Sequence, residues 1–273
     1  MRPILFKIAG IPIYSFGLMM GLGFLIANYL LTLELKRKKI NPEFANNVTF
    51  RALVGGIVGS KILYLLEHWK YFIENPFQMA FSPGGLTFYG GFIFAIYLIW
   101  HFCKKNNISF LTIADATAPG LLFAYGFARI GCHLAGDGDY GFPTNLPWGT
   151  DYSNGTYPPS YAFKNFPEIT SQFVNGIVPD TILCHPTPIY EFLICTFLFL
   201  ILWFTRKNDL KNGSLFMKYL FVAGFERFLI EFVRINDRFI YGLSEAQLIA
   251  ISLILIGSVG YFKINKPQKI ITV

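Results

Sequence analysis

The chain has 273 residues, of which 53% are hydrophobic, 18% aromatic and only 14% charged, and its mean hydropathy is +0.46. A water-soluble domain carries about 25% charged residues, so this composition excludes an ordinary soluble globular protein. The net charge of +7 fits topology signals and anionic lipid headgroups, and no basic stripe interleaved with stacking aromatics lies outside the apolar segments, which argues against a nucleic-acid partner.

Seven apolar segments follow in chain order, at 14–33, 47–66, 84–103, 112–132, 188–205, 214–233 and 244–262. Each is close to the ~20 residues that a helix needs to cross the hydrocarbon core. Backbone polar groups in lipid must be satisfied within the segment, so each is expected to be a helix. Period-two alternation is absent, which argues against a barrel. The first segment is too long for the core of a cleavable signal, and its basic cluster Lys36-Arg37-Lys38-Lys39 follows rather than precedes it. That order predicts a retained span with the N-terminus outside.

On this reading the inside connections carry Lys36, Arg37, Lys38, Lys39, Lys104, Lys105, Arg206, Lys207, Lys211, Lys263, Lys266 and Lys269. The outside ones carry Arg2, Lys7, Lys70, Lys164, Arg234 and Arg238. Twelve against six favours N-terminus outside and C-terminus inside. The longest connection, 134–187, then lies outside, and its turn signals Asn154-Gly155 and Pro158-Pro159 predict a small extracytoplasmic cap. The expected fold is therefore an all-α membrane protein, a seven-transmembrane-helix bundle. Residues 1–273 form a single polytopic membrane domain, with 134–187 as a cap insertion between spans four and five. Of the cysteines, Cys103, Cys132, Cys184 and Cys195, none sits at metal-binding spacing; Cys132 and Cys184 fall near the outer face, where a disulfide between them is conceivable. No metal or organic cofactor is implied.

Charge inside a bilayer costs at least ~2.5 kcal/mol per residue at a helix centre, yet the spans keep Arg51, Lys61, Asp115, Arg129, Glu191, Lys218, Glu226, Arg227, Glu231 and Glu245. Asp115 and Glu245 sit near span starts and could cap helices, while Arg51 and Lys218 can snorkel. Arg227, Glu231 and Arg234 are spaced i, i+4, i+7 and are expected on one helix face. Arg227 lies about 20 Å along its helix from the inner side, at 1.5 Å per residue. Arg129, Glu191, Tyr89 and Tyr14 fall at the same outer depth on four other spans. Two readings of this coincidence stand: an Arg–Glu network that holds the bundle, or a site for an anionic headgroup, which guanidinium forks suit.

Glycines strengthen the second reading. Gly84-Gly85 and Gly90-Gly91 flank Leu86-Thr87-Phe88-Tyr89, and Gly131, Gly136, Gly138 and Gly141 follow Arg129. They permit close backbone approach to a helix or a ligand. His133 could act as a general base or be a hydrogen-bonded residue at a helix end. Asp137 and Asp139 could orient a ligand or pair with arginines, and His185-Pro186 with Pro188 reads as helix entry. A transporter of an anionic lipid or small anionic solute is the alternative function; it should spread polar residues through the whole bilayer depth and show paired repeats, whereas here they gather in the outer half.

Four blocks in order resemble bacterial prolipoprotein diacylglyceryl transferase: Gly84 to Gly91, Arg129 to Gly141, His185 to Glu191 and Glu226 to Arg234. The resemblance covers most of the chain. It implies a transferase of lipoprotein biosynthesis in the bacterial cytoplasmic (inner) membrane, a protein-lipidation enzyme. Such an enzyme moves the diacylglyceryl group of phosphatidylglycerol to the lipobox cysteine of a prolipoprotein signal peptide and releases glycerol phosphate. Catalytic roles then fall to Arg129, Arg227, Tyr89 and His133. Substrate contacts fall to Arg129, Arg227, Tyr14, Gly90, Gly91, Gly141, Glu191, Glu231 and Arg234. The chain departs from the family pattern where Tyr89 stands in place of a common histidine and Cys132 in place of a common asparagine, and the proton acceptor stays open, with His133 as a candidate.

Overall fold

The computed structural model describes residues 1–82, 84–208, 211–239 and 241–266; Lys269, counted above among the inside cations, lies outside them. The fold is mostly helical. Packing divides the chain into two units, residues 1–27 with 118–273, and residues 28–117.

A hairpin opens the chain: β1 (Ile4–Ile8) pairs antiparallel with β2 (Ile11–Tyr14). Ala9 and Gly10 between them both take positive φ, 48° and 83°, the two-residue turn whose twist matches that of paired strands. The helices are α1 (Ser15–Arg37), α2 (Phe44–Glu67), α3 (Trp69–Glu74), α4 (Pro76–Phe81), α5 (Phe88–Lys105) and α6 (Phe110–Ala135). After strand β3 (Thr150–Asp151) come the short α7 (Pro159–Ala162) and α8 (Pro167–Thr170), strand β4 (Leu183–Cys184), and then α9 (Thr187–Thr205), α10 (Ser214–Ile230) and α11 (Glu245–Asn265). Each of the seven apolar segments is thus helical over most of its length, with residues 84–87 preceding α5 and 231–233 following α10. Among the described residues α1, α2, α6, α9 and α11 are long and apolar enough to cross a membrane. The other two, α5 and α10, are shorter or more polar: α5 closes on Lys104 and Lys105, and α10 has 17 residues and contains Lys218, Glu226 and Arg227. Large apolar side chains such as Phe50, Ile57, Phe197 and Phe262 stand exposed on the helices, a surface suited to lipid rather than water.

Within residues 28–117, Leu31, Leu35, Ala45, Val48, Phe102, Cys103, Ile113 and Ala116 form the core. Backbones of α2 and α5 meet through glycines. A Cβ on Gly55 would stand 2.6 Å from the Ala95 Cα, and one on Gly91 would stand 2.5 Å from the Gly56 carbonyl oxygen. Small residues at i, i+4 are what such close crossings require. Asp115 is not a helix cap as expected: α6 begins five residues earlier at Phe110, and Asp115 is buried inside it.

In the other unit, α6, α9 and α10 contribute a core of Leu122, Cys195, Leu202 and Leu215. Against α10, α11 packs where Gly224 faces Ala250 and Gly257 faces Met217 and Phe221. Residues 136–186 carry a core of their own, built from Tyr140, Tyr152, Phe163, Ile169, Val178 and Cys184. Pro188 occupies the first turn of α9, where its missing N–H costs nothing. All four cysteines are free, so the conceivable Cys132–Cys184 disulfide is not formed: Cys132 closes α6 beside Arg129, and Cys184 is sealed in the 136–186 core.

Candidate functional site

Three chain segments bring charge together inside the larger unit: the end of α6 with the turn after it, the first turns of α9, and the end of α10 with the turn after it. Arg129 comes from α6, Glu191 from α9, and Arg227 from α10. The sequence spacing placed Arg227, Glu231 and Arg234 on one helical face, but α10 ends at Ile230. Phe232 and Val233 donate to carbonyls only three residues back, at 3.2 and 3.0 Å, so the chain tightens and leaves the helix. Arg234 reaches the cluster from this turn, where it bridges Gly141.

Glu191 is the hub. It is fully buried, and all three guanidinium groups touch it: Arg129 through Nε, Arg227 through Nη1 at 3.3 Å, and Arg234 through Nη1 at 2.8 Å. The Tyr125 hydroxyl donates to its Oε2 at 3.1 Å and accepts from Arg129 Nη2 at 3.0 Å. Glu231, also buried, pairs with Arg227 Nη2 at 2.9 Å, while its Oε1 accepts from Ser244 Oγ at 2.8 Å and from Asn236. Asp139 bridges Arg129 and Arg234. Three guanidinium groups therefore face three paired carboxylates, a charge-balanced cluster. The arginines differ in access. Side-chain exposure is 23% for Arg227, 16% for Arg129 and 7% for Arg234, so Arg227 and Arg129 reach the protein surface while Arg234 is nearly enclosed.

The neighbouring carboxylates in the 136–141 turn behave oppositely. Burial opposes charge on Asp139, but Arg234 and Arg129 outweigh it and hold its carboxyl below the usual range. Asp137, half-buried and beside the Asp139 charge, is pushed above it. Burial likewise works against charge on Arg234, and Asp139 and Glu191 more than offset it. Cys132 Sγ and oxygens of Asp137 and Asp139 lie within 4.8 Å of one another, but both Asp139 oxygens are taken up by arginines. Glycine is required at 141: a Cβ there would stand 2.9 Å from the side chains of both His185 and Thr187, and Gly141 N–H donates to the His185 carbonyl at 2.9 Å. This packing locks the turn that carries Asp139 onto the start of α9.

The other expected site residues are placed as follows. His133 lies one turn beyond Arg129, and its Nδ1 is 3.0 Å from the Tyr152 hydroxyl. It lines a cavity of about 470 Å³ with Trp148, Thr150, Pro186, Ile189, Tyr190 and Leu193. Trp148 Nε1 donates to the Tyr190 hydroxyl at 2.7 Å, which also lies 3.2 Å from His185 Nδ1. Tyr14 ends β2 opposite Ile4 and is exposed. Tyr89, Gly90 and Gly91 belong to the smaller unit, in the first turn of α5, where both glycines abut α2 at Gly59, Ser60 and Leu63. The glycine requirement there is met by helix packing. Sequence reasoning missed Tyr125 and Ser244. Tyr125 was detectable, since it lies at i−4 from Arg129 on the same face of an apolar span. Ser244 heads a capping box with Gln247, a local signal, but its bond to Glu231 was not readable.

A family model described as prolipoprotein diacylglyceryl transferase matches residues 3–263. The chain is 34% identical over 274 residues to a Clostridium tetani protein named phosphatidylglycerol–prolipoprotein diacylglyceryl transferase, covering 98% of this chain and 100% of that one. A Clostridium perfringens relative carrying that name with the number 2 is 34% identical over 272 residues, covering 97% and 96% of the two chains. A Leptospira interrogans relative is 30% identical over 294 residues, covering 89% and 86%.

Proposed function

The chain belongs to the prolipoprotein diacylglyceryl transferase family, and on that premise we propose that its three-arginine cluster receives the phosphodiester of phosphatidylglycerol while the diacylglyceryl group passes to a prolipoprotein cysteine. The chain is a membrane transferase of lipoprotein maturation. In the reaction the cysteine sulfur attacks the glyceryl carbon that bears the phosphate. A C–S bond forms, the C–O bond breaks, and glycerol phosphate leaves with the bonding pair; the thiol proton is lost to a base or to the leaving phosphate.

The leaving group gains negative charge as the bond breaks. Donors aimed at it therefore stabilise the transition state more than the bound lipid, which is the condition for acceleration. Arg227 and Arg129, the two more accessible guanidinium groups, are assigned to the phosphate. Arg234, Glu191, Glu231 and Asp139 hold them in place, and Gly141 admits the turn that delivers Asp139. The observation that carries this reading is the single buried carboxylate of Glu191 shared by all three arginines. An incoming phosphodiester would meet the accessible edges of Arg227 and Arg129 while Glu191 keeps them in place.

Tyr14 and Tyr89 are assigned hydrogen bonds to the lipid, with Gly90 and Gly91 shaping the turn that carries Tyr89. His133, its Nδ1 side held by Tyr152, is assigned the proton. The acceptor is a signal peptide with a lipobox cysteine. Residues 1–273 are read as one polytopic domain with seven helices crossing the inner membrane, N-terminus outside and C-terminus in the cytoplasm, and residues 134–187 as the outward cap. The lysine and arginine bias of the connections supports that orientation. The test incubates purified protein with phosphatidylglycerol and a lipobox peptide and reads peptide mass. Addition of a diacylglyceryl group is expected, and a Cys→Ser peptide should block it. An unmodified Cys peptide, under conditions where the Clostridium tetani relative works, would reject the assignment.

A further inference from the structure

Lys61, one of the ten charges within apolar segments, takes no part in the arginine cluster and has its own set of partners. Lys61 lies on α2, near the end of that helix that leads to α3. An ammonium has three N–H donors, and Lys61 Nζ meets three acceptors: the Ser82 carbonyl at 2.9 Å, Ser82 Oγ at 3.0 Å and the Gly84 carbonyl at 2.8 Å. All three belong to the segment that joins α4 to α5. Two more ties run from the same part of α2 to the same segment. Ser60 accepts from Thr87 N–H at 3.2 Å, and Glu67 Oε2 accepts from Thr87 Oγ1 at 2.8 Å. Between them Gly85 takes φ of +70°, and a Cβ there would collide with the Tyr64 ring. Ser60, Tyr64 and Glu67 are spaced i, i+4, i+7, so one face of α2 clamps the segment along its length.

The next residues are Phe88, Tyr89, Gly90 and Gly91. We propose that Lys61 is a positioning residue: by holding Ser82 and Gly84 it sets the entry of α5 and hence the placement of Tyr89. This rests on the assignment of Tyr89 to the lipid substrate made above. Charge-assisted bonds to carbonyls are stronger than neutral ones, which accounts for a cation in an apolar helix where a neutral side chain would insert at lower cost. With each N–H engaged by the loop, the ammonium acts through that loop rather than on a phosphate directly.

The test compares Lys61→Met, Lys61→Arg and Ser82→Ala in the full-length protein in phosphatidylglycerol-containing nanodiscs. Turnover of a lipobox peptide is read alongside amide hydrogen exchange at Gly84–Thr87. Lys61→Met is expected to lower kcat/KM roughly 10- to 100-fold, the scale of a misplaced catalytic group. Exchange should speed up in Gly84–Thr87 but not in the body of α2, and Lys61→Arg should restore most of both. Wild-type exchange in Lys61→Met overturns the clamp. Faster exchange with wild-type turnover overturns its link to Tyr89. Should Lys61→Met fail to insert, Ser82→Ala decides: it removes one of three acceptors, and a few-fold loss of kcat/KM with faster loop exchange is expected, wild-type behaviour being the refutation. The exchange readout does not depend on the reaction catalysed, so an inactive wild type would reject the assigned activity while the clamp is still judged on its own.

Discussion

Replacing Glu191 with Gln perturbs the cluster at the atom pair where its interactions meet. The side chain is fully buried, and its two oxygens take Arg227 and Arg234 on one side, Arg129 and Tyr125 on the other. Glutamine keeps the shape but replaces one oxygen by an amide NH2. In one orientation the new N–H groups face Arg129 Nε, a donor; in the other they face Nη1 of both Arg227 and Arg234. A donor–donor contact is unavoidable in either case. The substitution also leaves three guanidinium groups with two paired carboxylates. Breaking a buried ion pair by removing one partner costs roughly 3–5 kcal/mol, and we place this variant at the lower end, about 3 kcal/mol, because Arg227 and Arg129 retain some access to solvent or headgroups. Expressed in turnover, 3 kcal/mol of lost positioning corresponds to about 10²-fold in kcat/KM. The assay is lipobox-peptide mass addition at varied phosphatidylglycerol, with thermal unfolding measured on the same preparation. A Glu191→Asp variant, which keeps the charge on a shorter arm, should fall between Gln and wild type. A Glu191→Gln protein with wild-type kcat/KM and unchanged unfolding temperature would refute the idea that this carboxylate organises the arginines.

Arg227→Gln should insert and fold but lose transfer by about 10²- to 10³-fold, the scale of removing one preorganised donor; a folded variant with normal peptide lipidation would remove Arg227 from the reaction. Asp139→Asn and Asp137→Asn should shift stability in opposite directions at neutral pH. The folded pKa of Asp139 is lowered, so its contribution is present above the unfolded value and is lost as pH falls through the folded one; Asp139→Asn destabilises at pH 7 and the difference closes in acid. The folded pKa of Asp137 is raised, so its ionisation penalises the folded state above that pKa; Asp137→Asn stabilises at pH 7, with the gain vanishing as pH falls below the ordinary aspartate range. Unfolding temperatures across the acid range read both signs at once. Ser244→Ala removes the cap of α11 and the bond to Glu231, and should lower stability by about 1 kcal/mol as read in chemical or thermal unfolding.

Much of the fold is local and therefore readable from the sequence. Apolar content summed over ~20 residues reports how a segment partitions, whatever surrounds it, and each of the seven apolar segments is helical over most of its length in the structure. The charged positions were legible for a related reason. An ionisable residue in such a segment carries a cost that must be offset somewhere, so Arg129, Glu191, Arg227 and Glu231 identified themselves as members of a network. Which carboxylate serves which arginine depends on the folded backbone. The end of α10 at Ile230 sends Arg234 into a turn, and the 136–141 turn swings Asp139 between Arg129 and Arg234. Those arrangements follow from close packing among residues far apart in the chain, as at Gly141 against His185 and Thr187, and no window of sequence contains both sides of such a contact. The same holds for Lys61: its cost was visible in the apolar stretch around it, whereas the three acceptors that offset it came into view only with the segment before α5 laid along α2.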